Sequence, residues 1–253
     1  MVYWFALVLG LVLNWQCTSN QTSDAISDTL ASPVDLVKLS EDEIAEGWQL
    51  LFNGKDASAW RGYNQDTLPA SWVVEDGHLV CRQMAIEHGD IITKEQFDDF
   101  ELSLEVMYYD SANSGVFHRV QEVPGEPMWT LAPEYQLMDN AAYFSMFGDQ
   151  FPSHGVGECY ELFEAEKDYS HPLGEWNKVK IISLGNHVEY WLNGYRTVSF
   201  DIGSAEWEKR LVKSKFKPKK MQFGMTHLGH MGLQDHGQDI RFKNIKIRKI
   251  NNQ

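Results

Sequence analysis

The sequence predicts an all-β protein, a jelly-roll β-sandwich of two antiparallel sheets with one or two short helices. Three observations lead there. Short stretches rich in Val, Ile, Leu and aromatic residues follow one another closely from Trp48 to Ile250. Turn dipeptides stand between them: Asp76-Gly77, Gly185-Asn186 and Asn193-Gly194. Helical signals occur in two places, after Ser40 and after Ser204. Many short strands with few helices bury their apolar sides best by stacking one sheet on another.

The elements follow in order. Ser40 opens a short helix (SEDEIAEG), with Glu43 completing a capping box and Gly47 as its stop. WQLLFN (48–53) is a strand that ends in the turn NGKD, and WVVEDGHLVCR (72–82) is a hairpin about Asp76-Gly77. DIITKE is a short strand. DFELSLEVMYY (99–109) alternates well, with Phe100, Leu102, Leu104 and Val106 on one face and Glu101, Ser103 and Glu105 on the other. NSGVFHRV (113–120), EYQLMDN (134–140) and CYELFEA (159–165) continue the series. WNKVKIISLGNHVEYWLNGYRTVSFD (176–201) reads as a three-stranded meander. Ser204 then caps a helix in which Trp207 and Leu211 share a face and Glu206 sits four residues before Arg210. KKMQFGMTHLG and IRFKNIKIRKI close the chain as strands, the second read as strictly alternating. No repeat period is present.

Composition narrows the function. A chain of 253 residues, 43% of them hydrophobic, is long enough for one large domain. Its 36 acidic against 22 basic residues, a net charge of −14, exclude a nucleic-acid surface, which needs a basic face. Nine Trp suit either a core or flat platforms for sugar rings. Phe5–Leu13 is an apolar run of signal-peptide length, too short to span a bilayer. Cys17 and the polar stretch TSNQTSD follow it. The expectation is an exported protein of the periplasm or cell envelope: residues 1–17 a signal of lipoprotein type with Cys17 the lipidated residue, 18–38 a flexible linker, and 39–253 a single sandwich domain. MVYW carries no basic residue and Gln16 stands where such signals prefer a small one, two departures from the lipoprotein pattern. Membrane contact would come only through that lipid. Cys81 and Cys159 either pair or remain buried thiols.

AEGWQLLFNGKDASAW, GDIITKEQFDDFELSLEVMYYDSANSGVFHR, EYQLMDN, PLGEWNKVKI, VEYWLNG, GLQDHG and IRFKNIKI occur in this order. Together they make the chain resemble the 3-keto-disaccharide hydrolase family over about residues 40–250. The resemblance implies a concanavalin A-like sandwich. It also implies cleavage of glycosides whose sugar has first been oxidised to a ketone at C3.

Three stretches hold candidate site residues. In EYQLMDN, Glu134, Gln136 and Asp139 reproduce the 0, 2, 5 spacing of the acidic motif of family-16 glucanases, where a bulge returns the last acid to the face of the first two. A retaining glycosidase needs two carboxyl groups about 5–5.5 Å apart. Gln136 in the middle and the shorter Asp139 speak against that mechanism. In NSGVFHRV, Asn113-Ser114-Gly115 is a tight entry, and His118 and Arg119 should face opposite ways. In MTHLGHMGLQDHG, His227, His230, Gln234, Asp235 and His236 raise a metal reading without a zinc-like spacing. A divalent metal ion is therefore a candidate cofactor with no fixed ligand set. His154 and His171 read as loop residues.

A C3 ketone acidifies C2–H, so one base and a stabilised enolate oxygen suffice to expel the C1 oxygen. Candidates for catalysis are Glu134, Asp139 and His236. Asn113, Arg119, Gln136, Gln234 and His118 are candidates for holding the sugar, with Arg119, Gln136 or a bound cation at the oxyanion. The rivals are a lectin-like carbohydrate-binding module on the same sheet and an ordinary glycosidase.

Overall fold

Alternation of apolar residues organises the computed structural model of the chain, which describes residues 36–148, 154–219 and 221–250. The signal segment, Cys17 and linker residues 18–35 lie outside the described residues. Val37, at the end of the expected linker, already donates to the Asn53 carbonyl at 3.0 Å and so joins the domain.

Thirteen strands are described. They are β1 (Trp48–Phe52), β2 (Trp60–Gly62), β3 (Trp72–Glu75), β4 (His78–Cys81), β5 (Ile91–Thr93), β6 (Phe100–Tyr108), β7 (Asn113–Val120), β8 (Glu134–Met138), β9 (Asn177–Leu184), β10 (His187–Leu192), β11 (Tyr195–Asp201), β12 (His230–Leu233) and β13 (Ile240–Lys249). One sheet runs β11-β10-β9-β6-β13-β4-β3, with β1 also on β13; the other runs β2-β5-β12-β7-β8. All pairings are antiparallel. The two-sheet sandwich is thus present.

Between the sheets, Leu102, Leu104, Val106, Val179, Ile181, Tyr190 and Phe242 meet Ile91, Val116, Tyr135, Leu137 and Leu233 in one buried cluster. The β3–β4 and β10–β11 turns carry Asp76-Gly77 (φ 50° and 79°) and Asn193-Gly194 (51° and 86°), the left-handed pair that a tight hairpin demands.

The helices start where their caps predict. In α1 (Glu41–Ala45) Ser40 and Glu43 form the reciprocal capping box, and in α3 (Ala205–Leu211) Ser204 Oγ accepts from the Trp207 amide. Trp207 and Leu211 are buried, and Arg210 pairs with Glu206 at 2.8 Å. Trp207 stacks with Phe200 and Phe223, and Phe223 with Phe216, fixing the chain just past α3.

Three strand expectations are corrected. Residues 159–165 turn instead of extending, with bridges at Cys159 and Phe163 only. Residues 221–229 run as turns with a single bridge, from Gly229 to Phe97. In β13 the alternation is not strict: the register with β6 slips between Lys243 and Lys246, and Asn244 adopts φ 51°. That slip lets Ile240 and Phe242 face the core before it, and Ile245 and Ile247 after it.

Candidate functional site

β8 is the edge of the five-stranded sheet, and its period-2 pattern splits EYQLM cleanly. Tyr135 and Leu137 enter the inter-sheet core, so Glu134 and Gln136 stand on the outer face. Opposite them on β7 lie Phe117, paired with Glu134, and Gly115, paired with Gln136. The Glu134 carboxyl fills the space a side chain at 115 would need. Residues 157–160 run along the free edge of β8: the Gln136 amide donates to the Glu158 carbonyl at 3.0 Å and the Tyr160 amide to that of Glu134 at 3.1 Å. This brings the Tyr160 ring beside Glu134.

From the other side, the chain leaving β12 is tied to β7. The Gln234 amide donates to the Gly115 carbonyl at 3.0 Å, and Ser114 Oγ to the Gln234 carbonyl at 2.8 Å. Asp235 turns inward and accepts from the Gly89 and Gly237 amides and from His88, which leaves Gln234 and His236 facing out. The result is a cavity of about 200 Å³ lined by Asn113, Glu134, Gln136, Gln234 and His236, and closed by Trp129, Tyr160 and Lys215. Five of the eight predicted site residues meet here.

Glu134 is only 6% exposed, and burial pushes its carboxyl up to about 8; Lys215 pulls against that and Asp90 adds to it. Burial holds the Lys215 ammonium below the usual lysine range, while Glu134 and Glu161 pull it back up. The Tyr160 phenol rises to about 12 through burial and the nearby Glu134 and Glu161. Gln136 Nε2 donates to Asn113 Oδ1 at 2.8 Å and to the Ser114 and Leu137 carbonyls. Its amide is spent on the sheet and on Asn113, so Gln136 is not an oxyanion donor. Asn113 has its Oδ1 engaged, and its Nδ2 makes no hydrogen bond among the described residues. Gln234 Oε1 is buried and has no hydrogen-bond partner among the described residues, an acceptor suited to a sugar hydroxyl.

Three predicted site residues are elsewhere. No bulge precedes Asp139. Instead it ends β8 as the N-cap of α2 (Asn140–Phe147), and its carboxylate accepts from the Ala141, Ala142 and Ser111 amides. Asp139→Ala should therefore cost roughly 1–2 kcal/mol of stability, read as a lower Tm, and leave kcat within about twofold.

Arg119 and His118 do not face opposite ways. β7 carries one residue more than β12 between its paired positions, and Arg119 takes φ 58°. Both side chains consequently turn into the core. His118 bonds the Tyr190 hydroxyl at 2.8 Å, and Arg119 donates to Ser183 Oγ and to the Gly185 and Gly224 carbonyls. Arg119 ties loops together and touches no part of the cavity.

Trp129, Tyr160 and Lys215 were not anticipated. They come from three separate loops, and no local spacing links them.

Among the described residues, no three His, Cys, Asp or Glu side chains converge as a metal site. His230 is buried, bonded to the Thr93 carbonyl at 2.6 Å and to Gln96, while His236 meets Gln238 at 3.2 Å. The donor set of the cavity among the described residues, one carboxylate and one imidazole, falls short of the three protein ligands of an open catalytic zinc site and of the four of a closed structural one. His154 sits at the rim, its ring 4.6 Å from that of Tyr160 and its Nε2 3.1 Å from Glu161; His171 bonds the Trp176 carbonyl. Cys81 and Cys159 are buried free thiols.

Residues 47–248 match the family described as a 3-keto-alpha-glucoside-1,2-lyase-like domain. A 3-keto-disaccharide hydrolase of Bacteroides thetaiotaomicron is 30% identical, over 92% of this chain and 88% of its own. Among solved structures, a candidate glycosyl hydrolase of Parabacteroides distasonis ATCC 8503 is 32% identical with a TM-score of 0.76, over 85% of this chain and 100% of its own. A Bacillus subtilis protein of unknown function with a galectin-like fold, 11% identical with a TM-score of 0.50 over 86% and 95% of the two chains, shares the sandwich alone. The match over 47–248 and the Bacteroides relative together establish that this chain belongs to the 3-keto-disaccharide hydrolase family of glycosidic-bond-cleaving enzymes.

Proposed function

We propose that the enzyme acts on 3-keto-glycosides, 3-keto-disaccharides among them, by removing the C2 proton, eliminating the C1 glycosidic oxygen and hydrating the product. The observation that carries this reading is Glu134, one buried carboxyl on the floor of a polar cavity. Among the described residues, no second carboxylate lines that cavity to make an acid–base or nucleophile pair with it. A base held near 8 is well matched to a proton made acidic by an adjacent ketone.

The electrons balance without an oxidant. Glu134 takes the C2 proton, and the C–H pair forms the enolate of the C3 ketone. Collapse of the enolate re-forms the C3 carbonyl and makes a C1–C2 double bond. The C1–O bond breaks with its electron pair, and the leaving oxygen takes a proton. Water then adds at C1 and a proton at C2, giving the free 3-keto sugar. Asn113 Nδ2, Gln234 Oε1 and the exposed His236 ring, which line the same cavity, would hold hydroxyls and the leaving group in this reading. The apolar run Phe5–Leu13 supports export, with Cys17 as the lipid anchor.

The test is turnover of a 3-keto-disaccharide beside its unoxidised parent, followed by NMR. Cleavage of the keto form alone, through an unsaturated intermediate, is expected. Cleavage of the parent at a comparable rate would make this an ordinary glycosidase. Binding without turnover of either would leave a carbohydrate-binding module.

A further inference from the structure

We propose that Lys215 is a catalytic residue: its ammonium receives the C3 oxygen of the keto sugar and carries the charge that develops there while Glu134 removes the C2 proton. This rests on the 3-keto-glycoside reading and supplies its oxyanion partner. Arg119 and the Gln136 amide are committed elsewhere. Of the residues lining the cavity, Lys215 carries the fixed positive charge.

The way it is held points to a ligand. The Lys215 Nζ lies 4.2 Å from the Tyr160 ring centroid, 4.7 Å from that of Trp129 and 5.3 Å from that of Phe216. Three aromatic faces steady an ammonium through cation–π attraction and leave its N–H groups unspent. Lys215 takes part in none of the ion pairs among the described residues, whereas Lys246, Lys249 and Lys243 each pair with a glutamate.

Its backbone is fixed as well. The Lys215 amide donates to Glu161 Oε2 at 3.3 Å, and the next residue, Phe216, stacks on Phe223 at 4.1 Å, next to Trp207 of α3. A charge aimed in advance at a developing oxyanion costs no reorganisation when the proton moves. Partial desolvation of the ammonium, on a residue that is exposed as a whole, holds it below the usual lysine range and makes it the stronger hydrogen-bond donor. The proposed step forms no bond to Lys215.

The experiment follows a 3-keto-disaccharide by NMR in deuterated water with the full chain, reading C2–H exchange and glycosidic cleavage separately. Lys215→Met should lower both by about 10²–10³-fold with the Tm little changed. Lys215→Arg, which keeps the cation, should recover at least tenfold of that loss, about one order of magnitude. Lys215→Gln serves as the second neutral variant should Lys215→Met fold poorly, and the same loss is expected of it.

Lys215→Met that keeps C2 exchange and loses only cleavage would overturn the assignment, because the charge would then act after the enolate. Full activity of the neutral variants would overturn it too, as would borohydride trapping of the sugar on Lys215 of the wild type, which would mean a covalent iminium. A wild-type chain that neither exchanges nor cleaves the keto substrate removes the 3-keto-glycoside reading itself. That result is distinct from loss confined to the variants.

Discussion

Glu134→Gln is expected to lower turnover of a 3-keto-disaccharide by about 10³-fold and at the same time to stabilise the folded chain increasingly as pH rises. The two effects have one cause. Burial raises the folded-state value of this carboxyl from 4.5 to about 8. Between those values the unfolded chain has released the proton and the folded chain still holds it. Stability therefore falls as pH climbs through that window, and the full cost is reached above about 8. A shift of this size corresponds to roughly 3–5 kcal/mol at alkaline pH, part of which glutamine gives back because it fills the same space uncharged.

For a chain of this size each kcal/mol moves the Tm by about 2–4 °C, so the variant's advantage should be several degrees near pH 9 and close to nothing near pH 5. In the wild type, kcat/KM should rise with pH as Glu134 loses its proton near 8. Thermal melts of both proteins across pH, with the rate profile, check the set. A Tm difference that stays flat with pH, or an active Glu134→Gln chain, would sink the assignment of Glu134 as a buried base.

Which parts of this were legible from the sequence follows from where the information lies. β6 could be read off FELSLEVMY because alternation is a local property, and its burial alternates residue by residue. The caps at Ser40 and Ser204 were legible for the same reason. The misread places are those where a strand partner decides. Arg119 takes φ 58° because β7 has one residue more than β12 can pair, which turns both His118 and Arg119 inward. Asn244 resets the phase of β13 in the same way.

Asp139 carried a local signal that the acidic spacing masked: an Asp before NAAYF is an ordinary helix cap. Three of the eight residues lining the cavity had no local signal at all. Trp129, Tyr160 and Lys215 lie far apart in the chain and converge because residues 157–160 run beside β8 and the Phe216–Phe223–Trp207 stack holds the turn after α3. Glu134, Gln136 and Asn113 were readable since they sit on neighbouring strands within one motif-rich stretch.

Gly115→Ala should reduce kcat/KM by about 10²-fold or more although residue 115 does not line the cavity. Its position on β7 pairs with Gln136, and its carbonyl accepts from the Gln234 amide, so both walls of the cavity hang on this residue's backbone. Gly115 is not among the residues with positive φ, so alanine meets no backbone strain and should suit a strand slightly better than glycine. What it does meet is Glu134. A Cβ at 115 would overlap Oε1, Cγ and Cδ of that side chain. The carboxyl must then rotate away from the sheet toward solvent, where burial no longer holds its proton. The rate should fall, and the rising limb of the pH profile should move from about 8 toward the ordinary glutamate value of 4.5. Stability should change by only about 1–2 kcal/mol, since overpacking is relieved at a side chain that gains water. A double variant with Glu134→Gln should be no slower than Glu134→Gln alone, because the glycine acts through that carboxyl. A Gly115→Ala enzyme that is slow but keeps its limb near 8 would mean that the methyl group disturbs sugar binding and leaves the base in place.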